Sequence, residues 1–536
     1  MLRSCEAGEG GHDRCFCRQN PVPLPTRVLQ VNPDDDHLRL YESEPGETGA
    51  YAALSHCWGP LEKRPARTTD ENLSRMRSSI SWSELSAVFK DAIWLCKQLG
   101  INYLWIDSLC IIQGNSADWQ IESAKMAEYY SGAHLTIAVE SAPDGTEPFL
   151  RESKERWQPM VYSTSDEAGS PFTYIVQEHF GIQAFAEWPY DYYQDGCRLH
   201  PTRAWTLQES LLSTRLVRFT PSDIIWECYS DSACQDVHRD LGTGDWNARR
   251  PFFALNHLQE TDEQRREAAY NLWKSLVLVY SQRVCTFVKD RLPAFSGVAS
   301  QFAKFFPGRY LAGIWEVHLP RGLCWSRRLG LSTSFSSRTQ HLALEENVAP
   351  SWSWASLPPG VPVESPAIVT EYTELDLSLR PRILEVSCDA PENAPFGQVT
   401  NGYLLMEAPL FEVTITCTRT SPKKTTLLQY HISFGHDIGG DQRMEFKEDS
   451  SLAMENGNAL RATRDCQVEY RQDPSTFHAR AWVVWITGSE KECMSGLVLG
   501  QREDSAEYQR LGYLTLEKIP DGAFSGDPPR SQIRLI

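Results

Sequence analysis

The densest run of chemically useful side chains lies between residues 103 and 139. There the apolar stretch from Tyr103 to Ile106 stops at Asp107 and is followed by Ser108, Cys110, Gln113, Asn115, Ser116 and Asp118. Polar groups just beyond a buried strand mark the edge where open α/β sheets bind ligands. A second polar turn, Ser55-His56-Cys57-Trp58-Gly59-Pro60, closes the apolar run that begins at Tyr51. Two chemistries are open to these residues. A thiol set drawn from Cys57, Cys110, His56 and Asp107 can drive acyl transfer or another addition and elimination. Alternatively, a carboxylate beside the loop can serve as a catalytic acid or base or as an ion-stabilising group. At 100° per residue, Trp119, Glu122, Met126, Tyr130 and Ala133 fall on one helical stripe, while Lys125 and Glu128 point elsewhere. Glu122 therefore lies on an apolar face, where desolvation raises a carboxylate's pKa unless a partner offsets it, as in many catalytic acids and bases. Pairing with a buried Arg is the plainer alternative.

The elements that position these residues follow from periodicity and capping. The pattern predicts a strand over 51–56, a helix over 83–99, a strand over 102–107, a helix over 118–131 and a strand over 134–140. Ser81-Trp82-Ser83-Glu84 has capping-box spacing, and Gly100 stands where a C-terminal cap belongs. The resulting βαβαβ order implies a doubly wound parallel sheet. Right-handed crossovers then place His56, Cys57, Asp107, Cys110 and Glu140 along one edge. Beyond an insertion over 141–197, a helix opens at Arg203 and a strand follows over 215–219.

Further on, Tyr270, Trp273, Leu276, Val277 and Tyr280 keep helical spacing, and short alternating runs at 403–406, 411–416, 427–433 and 481–486 read as an antiparallel β domain. Ser351-Trp352-Ser353-Trp354 alternates like a half-buried strand, and residues 440–460 read as the β domain's least ordered insert. The expected organisation is a polar lead-in over 1–45, an α/β domain over 46–230, a helical region over 231–310 and a β-rich domain over 311–536.

Composition narrows the function classes. With 52 basic and 70 acidic side chains the net charge of -18 repels phosphate backbones and anionic lipids, so nucleic acid is not an expected partner. No apolar run reaches a membrane span and no signal peptide is evident, which points to a soluble cytoplasmic protein. Fifteen cysteines in such a chain are expected to be reduced thiols. Cys5, His12, Cys15 and Cys17 have the ligand types for zinc, but their spacing matches no usual site and the segment is glycine-rich. The reading is a disordered N-terminus without a metal.

Three segments carry a resemblance: Tyr51 to Gly59, Leu104 to Ala133, and Arg203-Ala204-Trp205-Thr206-Leu207-Gln208-Glu209-Ser210-Leu211-Leu212. Together they resemble the fungal heterokaryon incompatibility (HET) domain, and the runs 309–315 and 349–356 resemble segments that often follow it. The resemblance implies a role in non-self recognition that ends in growth arrest or cell death. HET domains are similar in outline to toll/interleukin receptor (TIR) domains, a flavodoxin-like family with members that hydrolyse NAD through a glutamate. Glu122 matches that glutamate by position. On this reading NAD is a substrate and no bound cofactor is required; Asp107 orients a ribose hydroxyl, Trp58 or Trp119 stacks on the ring and Arg203 meets a phosphate. Ser55, Gly59, Ser108, Gln113, Gln208 and Glu209 complete the expected cleft lining. No G-x-G-x-x-G follows the first strand to cradle phosphates. A third reading is a non-catalytic module that associates with itself or with other HET or TIR-like domains, for which 17 tryptophans offer apolar surface.

Overall fold

A computed structural model describes residues 1–12, 15, 22–31, 38–150, 160–165, 171–176, 202–221, 224–234, 249–255, 261–327, 348–361, 363–364, 375, 378–420, 427–434, 443–449, 452–455, 458–461, 476–489, 493–502, 505–517, 524 and 529–536. Two compact units divide the chain, Met1–Gln259 and Glu260–Ile536.

The first unit is built on a mixed sheet of eight strands: β1 (Arg27–Gln30), β2 (Arg39–Glu42), β3 (Tyr51–Ser55), β4 (Tyr103–Ile106), β5 (Leu135–Val139), and, after a separate hairpin of β6 (Met160–Ser165) and β7 (Pro171–Val176), β8 (Leu216–Phe219), β9 (Ile224–Glu227) and β10 (Ser232–Cys234). Their order is β10-β9-β8-β5-β3-β4-β1-β2. The four central strands run parallel, with Leu54 opposite Ile106 and Ser55 opposite Ala138, so the carboxyl ends of β3, β4 and β5 share one edge as expected. Every residue of β3 and β5 is buried, the pattern of parallel strands covered on both faces.

Sequence expectations are corrected at several points. The helix after β3 spans Ala87–Leu99 and is capped by Ser86, whose hydroxyl accepts the Phe89 amide, rather than by Ser81. Leu85 is extended and buried, so it breaks the backbone between the turn Trp82–Glu84 and the helix. Gly100 does form the left-handed C-cap, at φ 70°. The lead-in over 1–45, expected to hold one edge strand around Val28 to Val31, supplies that strand as β1, which lies inside the sheet rather than at its edge, and adds β2 as the edge; its first residues form the helix Leu2–Ala7 with Cys5 buried. Much of the predicted insertion over 141–197 lies outside the described residues.

Arg27 of β1 holds the loop that follows β4. Its guanidinium donates to both carboxylate oxygens of Asp118 at 2.7 Å and to the Cys110 carbonyl at 2.7 Å, and Asp118 also accepts the Ile112 amide at 2.7 Å. Asn115 caps the helix Ser116–Gly132 by accepting from Ala117 and Asp118. From the other side, Thr68 exchanges backbone bonds with Ser108 and Gln113 and donates its hydroxyl to the Leu109 carbonyl at 2.6 Å.

The second unit pairs the helices Asp262–Ser281 and Pro293–Phe302 with an eleven-stranded, mostly antiparallel sheet between residues 382 and 535. The stretch 440–460, expected to be poorly ordered, supplies the strands Arg443–Glu448, Leu452–Glu455 and Asn458–Arg461. Ser351 to Trp354 is not a strand: Ser353 caps the short 3-10 turn Trp354–Ser356 and the Trp354 indole donates to the Gly313 carbonyl at 2.8 Å.

Because Arg27 and Asp118 are both largely buried, removing one leaves the other unpaired. Arg27→Ala should cost about 3–5 kcal/mol of stability by urea unfolding, and a loss below about 1 kcal/mol, typical of an exposed pair, would reject the clamp.

Candidate active site

β3 ends inside the protein, so its polar successors need partners there. Ser55 donates its hydroxyl to the Glu209 carboxylate, which comes from the helix Trp205–Leu212. Tyr130, on the helix Ser116–Gly132, approaches the same carboxylate with its hydroxyl, which also donates to the Leu54 carbonyl at 3.2 Å. Arg203 donates to the His56 carbonyl at 2.8 Å and lies close to Cys57, Asp107 and Glu209. At the end of β4, Asp107 accepts the Trp58 indole N–H at 3.0 Å and its own neighbour Ser108's amide at 2.7 Å. His56 is 3% exposed, with Nδ1 4.0 Å from Asp107. Neither of its ring nitrogens has a hydrogen-bond partner among the described residues.

Burial sets the protonation states of this cluster. It raises Asp107 to about 6, against the pull of Arg203, the Ser108 amide and the Trp58 indole. It also raises Glu209 to about 7, opposed by the Ser55 hydroxyl and Arg203. His56 is pushed down to about 3 by burial and then by Arg203, so it is neutral at physiological pH. Two carboxyls share one guanidinium, and charge balances when one carboxyl keeps a proton. The group therefore combines a proton donor and acceptor poised near neutrality with an unpaired imidazole.

Residues 51–209 match the family model described as Heterokaryon incompatibility protein (HET). This segment is a HET domain. No curated protein and no solved structure gives a significant match to the chain. Every member of the cluster, from Ser55 to Glu209, falls within the HET match.

The HET domain gathers some of the sequence candidates and disperses others. Ser55, His56, Cys57, Trp58, Asp107, Arg203 and Glu209 come together. Glu122 is buried as expected but is engaged elsewhere: Tyr129 donates to it at 2.7 Å, Lys125 lies 3.3 Å away, and the charge of Arg27 is felt nearby. The carboxylate beside Asp107 and Arg203 is Glu209, while the position matched to the TIR glutamate pairs with Lys125 and Tyr129. Cys110 is fully buried, accepts the Ile106 amide and is raised to about 12 by burial, which disfavours the thiolate. Cys57 is also raised by burial, with Arg203 opposing.

Ser108 and Gln113 brace the loop through the Ala66, Asp107 and Ile111 carbonyls. Trp119 packs edge-on against Trp205, and Gln208 is buried in the same helix as Glu209. Glu140, expected at the shared edge, is held by Arg218 at 2.6 Å. Tyr130, on the same helical stripe as Glu122, aims its hydroxyl at the end of β3, which its spacing in the sequence does not reveal. A separate cluster of metal-ligating types, Cys5, His12, Cys15 and Cys228, lies apart from these groups.

Two outcomes follow. Gly59 has φ +74°, and a Cβ there would stand 2.4 Å from the Asp144 Cβ; Gly59→Ala should therefore lower stability by at least about 2 kcal/mol, and an unchanged melting temperature would refute this backbone role. Glu209's raised folded pKa means its contribution to stability is complete below its ordinary value of 4.5 and is lost as pH rises through about 7. Glu209→Gln, which cannot ionise, should gain on the parent by on the order of 3 kcal/mol between pH 4.5 and 8 in urea unfolding. A pH-independent difference would contradict the assignment.

Proposed function

We propose that this HET domain cleaves the nicotinamide–ribose bond of NAD, with the cluster around Glu209 as its catalytic centre and depletion of the dinucleotide as the route to growth arrest or cell death. The observation that carries the reading is the juxtaposition, at the carboxyl edge of a parallel sheet, of two carboxyls raised toward neutrality with a buried imidazole that has no hydrogen-bond partner among the described residues. The second-first-third-fourth order of the parallel strands supports the flavodoxin-like, TIR-like outline.

Heterolysis of the C1′–N bond sends the electron pair to the pyridinium nitrogen, so nicotinamide leaves neutral and positive charge develops on the ribose. Ionised Glu209 or Asp107 stabilises that charge. Water then adds to C1′ and its proton passes to the same carboxylate. Arg203 keeps one of the two carboxyls ionised at neutral pH. It is occupied by the His56 carbonyl and the acidic pair, which makes it a positioning residue rather than a phosphate ligand. Trp58, partly exposed and hydrogen-bonded to Asp107, is the ring available for stacking.

A second reading is the self-associating module. It draws on Trp82 and Trp94, exposed by 50% and 52%, on the surface of the same unit.

The test is a time course of NAD with concentrated full-length protein, read by chromatography for nicotinamide and ADP-ribose, beside Glu209→Gln and Glu122→Gln. The expected result is nicotinamide release by the parent, a loss of at least about 100-fold in Glu209→Gln, and retained turnover with lower stability in Glu122→Gln. No release by the parent in any association state would sink the catalytic reading; light scattering that shows concentration-dependent assembly would then favour the module.

A further inference from the structure

The glycine-rich N-terminus, which the sequence suggested was disordered, places three of its side chains in the interior. Cys5 and Cys15 are 0% exposed and His12 is 5% exposed. Their fourth neighbour is Cys228 rather than Cys17, which lies outside the described residues. Cys228 is 3% exposed and sits at the turn between β9 and β10, more than two hundred residues away along the chain. The three sulfurs and one imidazole nitrogen all lie within 4.8 Å of one another. His12 Nδ1 is 3.3 Å from the Cys228 sulfur and 3.8 Å from the Cys15 sulfur. A tetrahedral zinc with bonds of about 2.3 Å to sulfur and about 2.0 Å to nitrogen sets its ligand atoms about 3.5–3.8 Å apart.

The geometry points to a structural zinc site formed by Cys5, His12, Cys15 and Cys228. Four protein ligands with no open position mark a structural rather than a catalytic site, and soft sulfur with one imidazole is a donor set that zinc favours. A disulfide would use two sulfurs and leave the third sulfur and the imidazole unexplained.

Two independent features surround the cluster as a metal's outer ligands would. The first is the set of polar neighbours. His12 turns its other ring nitrogen, Nε2, toward the Asp231 carboxylate, 3.9 Å away and beyond hydrogen-bond length, on the side where a carboxylate commonly orients a ligating imidazole. The Asp231 amide donates to the Cys228 sulfur at 3.3 Å, and the Cys228 amide donates back to the Asp231 carbonyl at 2.9 Å, closing a tight turn around that sulfur.

The second is charge. Arg215 is 5% exposed and donates to the Cys5 sulfur at 3.3 Å and to the carbonyls of His134 and Cys15, with no carboxylate partner among the described residues. A buried guanidinium without an anion is costly. Three thiolates around one divalent cation carry a single net negative charge, which is what Arg215 requires.

The site would pin the helix Leu2–Ala7 to the β9–β10 edge of the sheet, since a metal bound only by the folded chain adds its binding energy to folding. It stands apart from the cluster around Glu209 and does not depend on the NAD reading.

The test uses full-length protein purified under reducing conditions without chelator. Elemental analysis should find one zinc per chain, retained in Cys285→Ser and lost in Cys228→Ser and His12→Ala. Should those two variants fail to fold, the parent alone decides: a thiol-blocking mercurial should release one zinc to a chromophoric chelator. Cobalt exchanged into the parent should also give the intense visible bands of a tetrahedral thiolate site. Absence of zinc together with failure to take up cobalt after reduction would overturn the assignment, as would a native mass two hydrogens short, which signals a disulfide, or zinc retained at full stoichiometry in Cys228→Ser.

Discussion

The first unit is organised by the burial of β3. Its five residues have no exposed face, and the sheet carries them, parallel to both neighbours, straight into the polar sequence Ser55-His56-Cys57. A buried strand cannot end in unpaired polar groups without large cost, so the rest of the fold must bring partners to that point. They come from far away in sequence: Asp107 from the end of β4, Tyr130 from the following helix, and Arg203 and Glu209 from the segment beyond the insertion. The helix Trp205–Leu212 is correspondingly buried along almost its whole length, including Thr206, Gln208 and Glu209. Its placement satisfies β3 as much as it packs apolar surface.

This arrangement explains why the carboxyls are poised near neutrality. Desolvation raises both, and a single guanidinium is too little to return both to their ordinary range. Arg203 is itself divided between a backbone carbonyl and the acids. The same cation lowers His56 further than burial alone would, which keeps the imidazole neutral beside an acidic neighbour. Neutral His and half-protonated carboxyls are the states that exchange protons with a substrate at low cost.

How much of this could be read from the sequence follows the range of the interactions. The βαβαβ core, the shared strand edge and the burial of Glu122 come from local periodicity, and they hold. What periodicity cannot supply is which buried carboxylate meets which cation. Glu122 and Glu209 both sit on apolar helical faces, and only the fold shows that Lys125, Tyr129 and Arg27 reach the first while Arg203 and Ser55 reach the second. Helix starts failed where tertiary packing overrode a local motif: Ser81 to Glu84 has the right spacing, yet burial of Leu85 interrupts the backbone. The burial of the N-terminal cysteines is not legible in the sequence for a related reason, because their fourth neighbour, Cys228, is remote and the segment's composition resembles a linker.

The second unit holds a useful contrast, since it too buries ionised groups around a carboxylate. Asp449 accepts from Arg461 and Arg510, each at 2.9 Å, and all three side chains are buried. The remaining donors of Arg461 reach the Arg510 carbonyl, the Ser356 hydroxyl and the Ser351 carbonyl, while Arg510 reaches the carbonyls of Leu323 and Trp325 and stacks 3.3 Å from the Trp325 ring centre. Here the cations outnumber the acid, neighbouring carbonyls absorb the excess donors, and the cluster ties the 351–356 turn to the sheet. Such a network specifies packing. Around Glu209 the acids outnumber the cation, and the imidazole has no hydrogen-bond partner among the described residues. The two clusters therefore differ in charge balance: around Asp449 every ionised group is matched by donors and carbonyls, which fixes packing, whereas around Glu209 two carboxyls compete for one guanidinium, which is why burial can lift both toward neutrality.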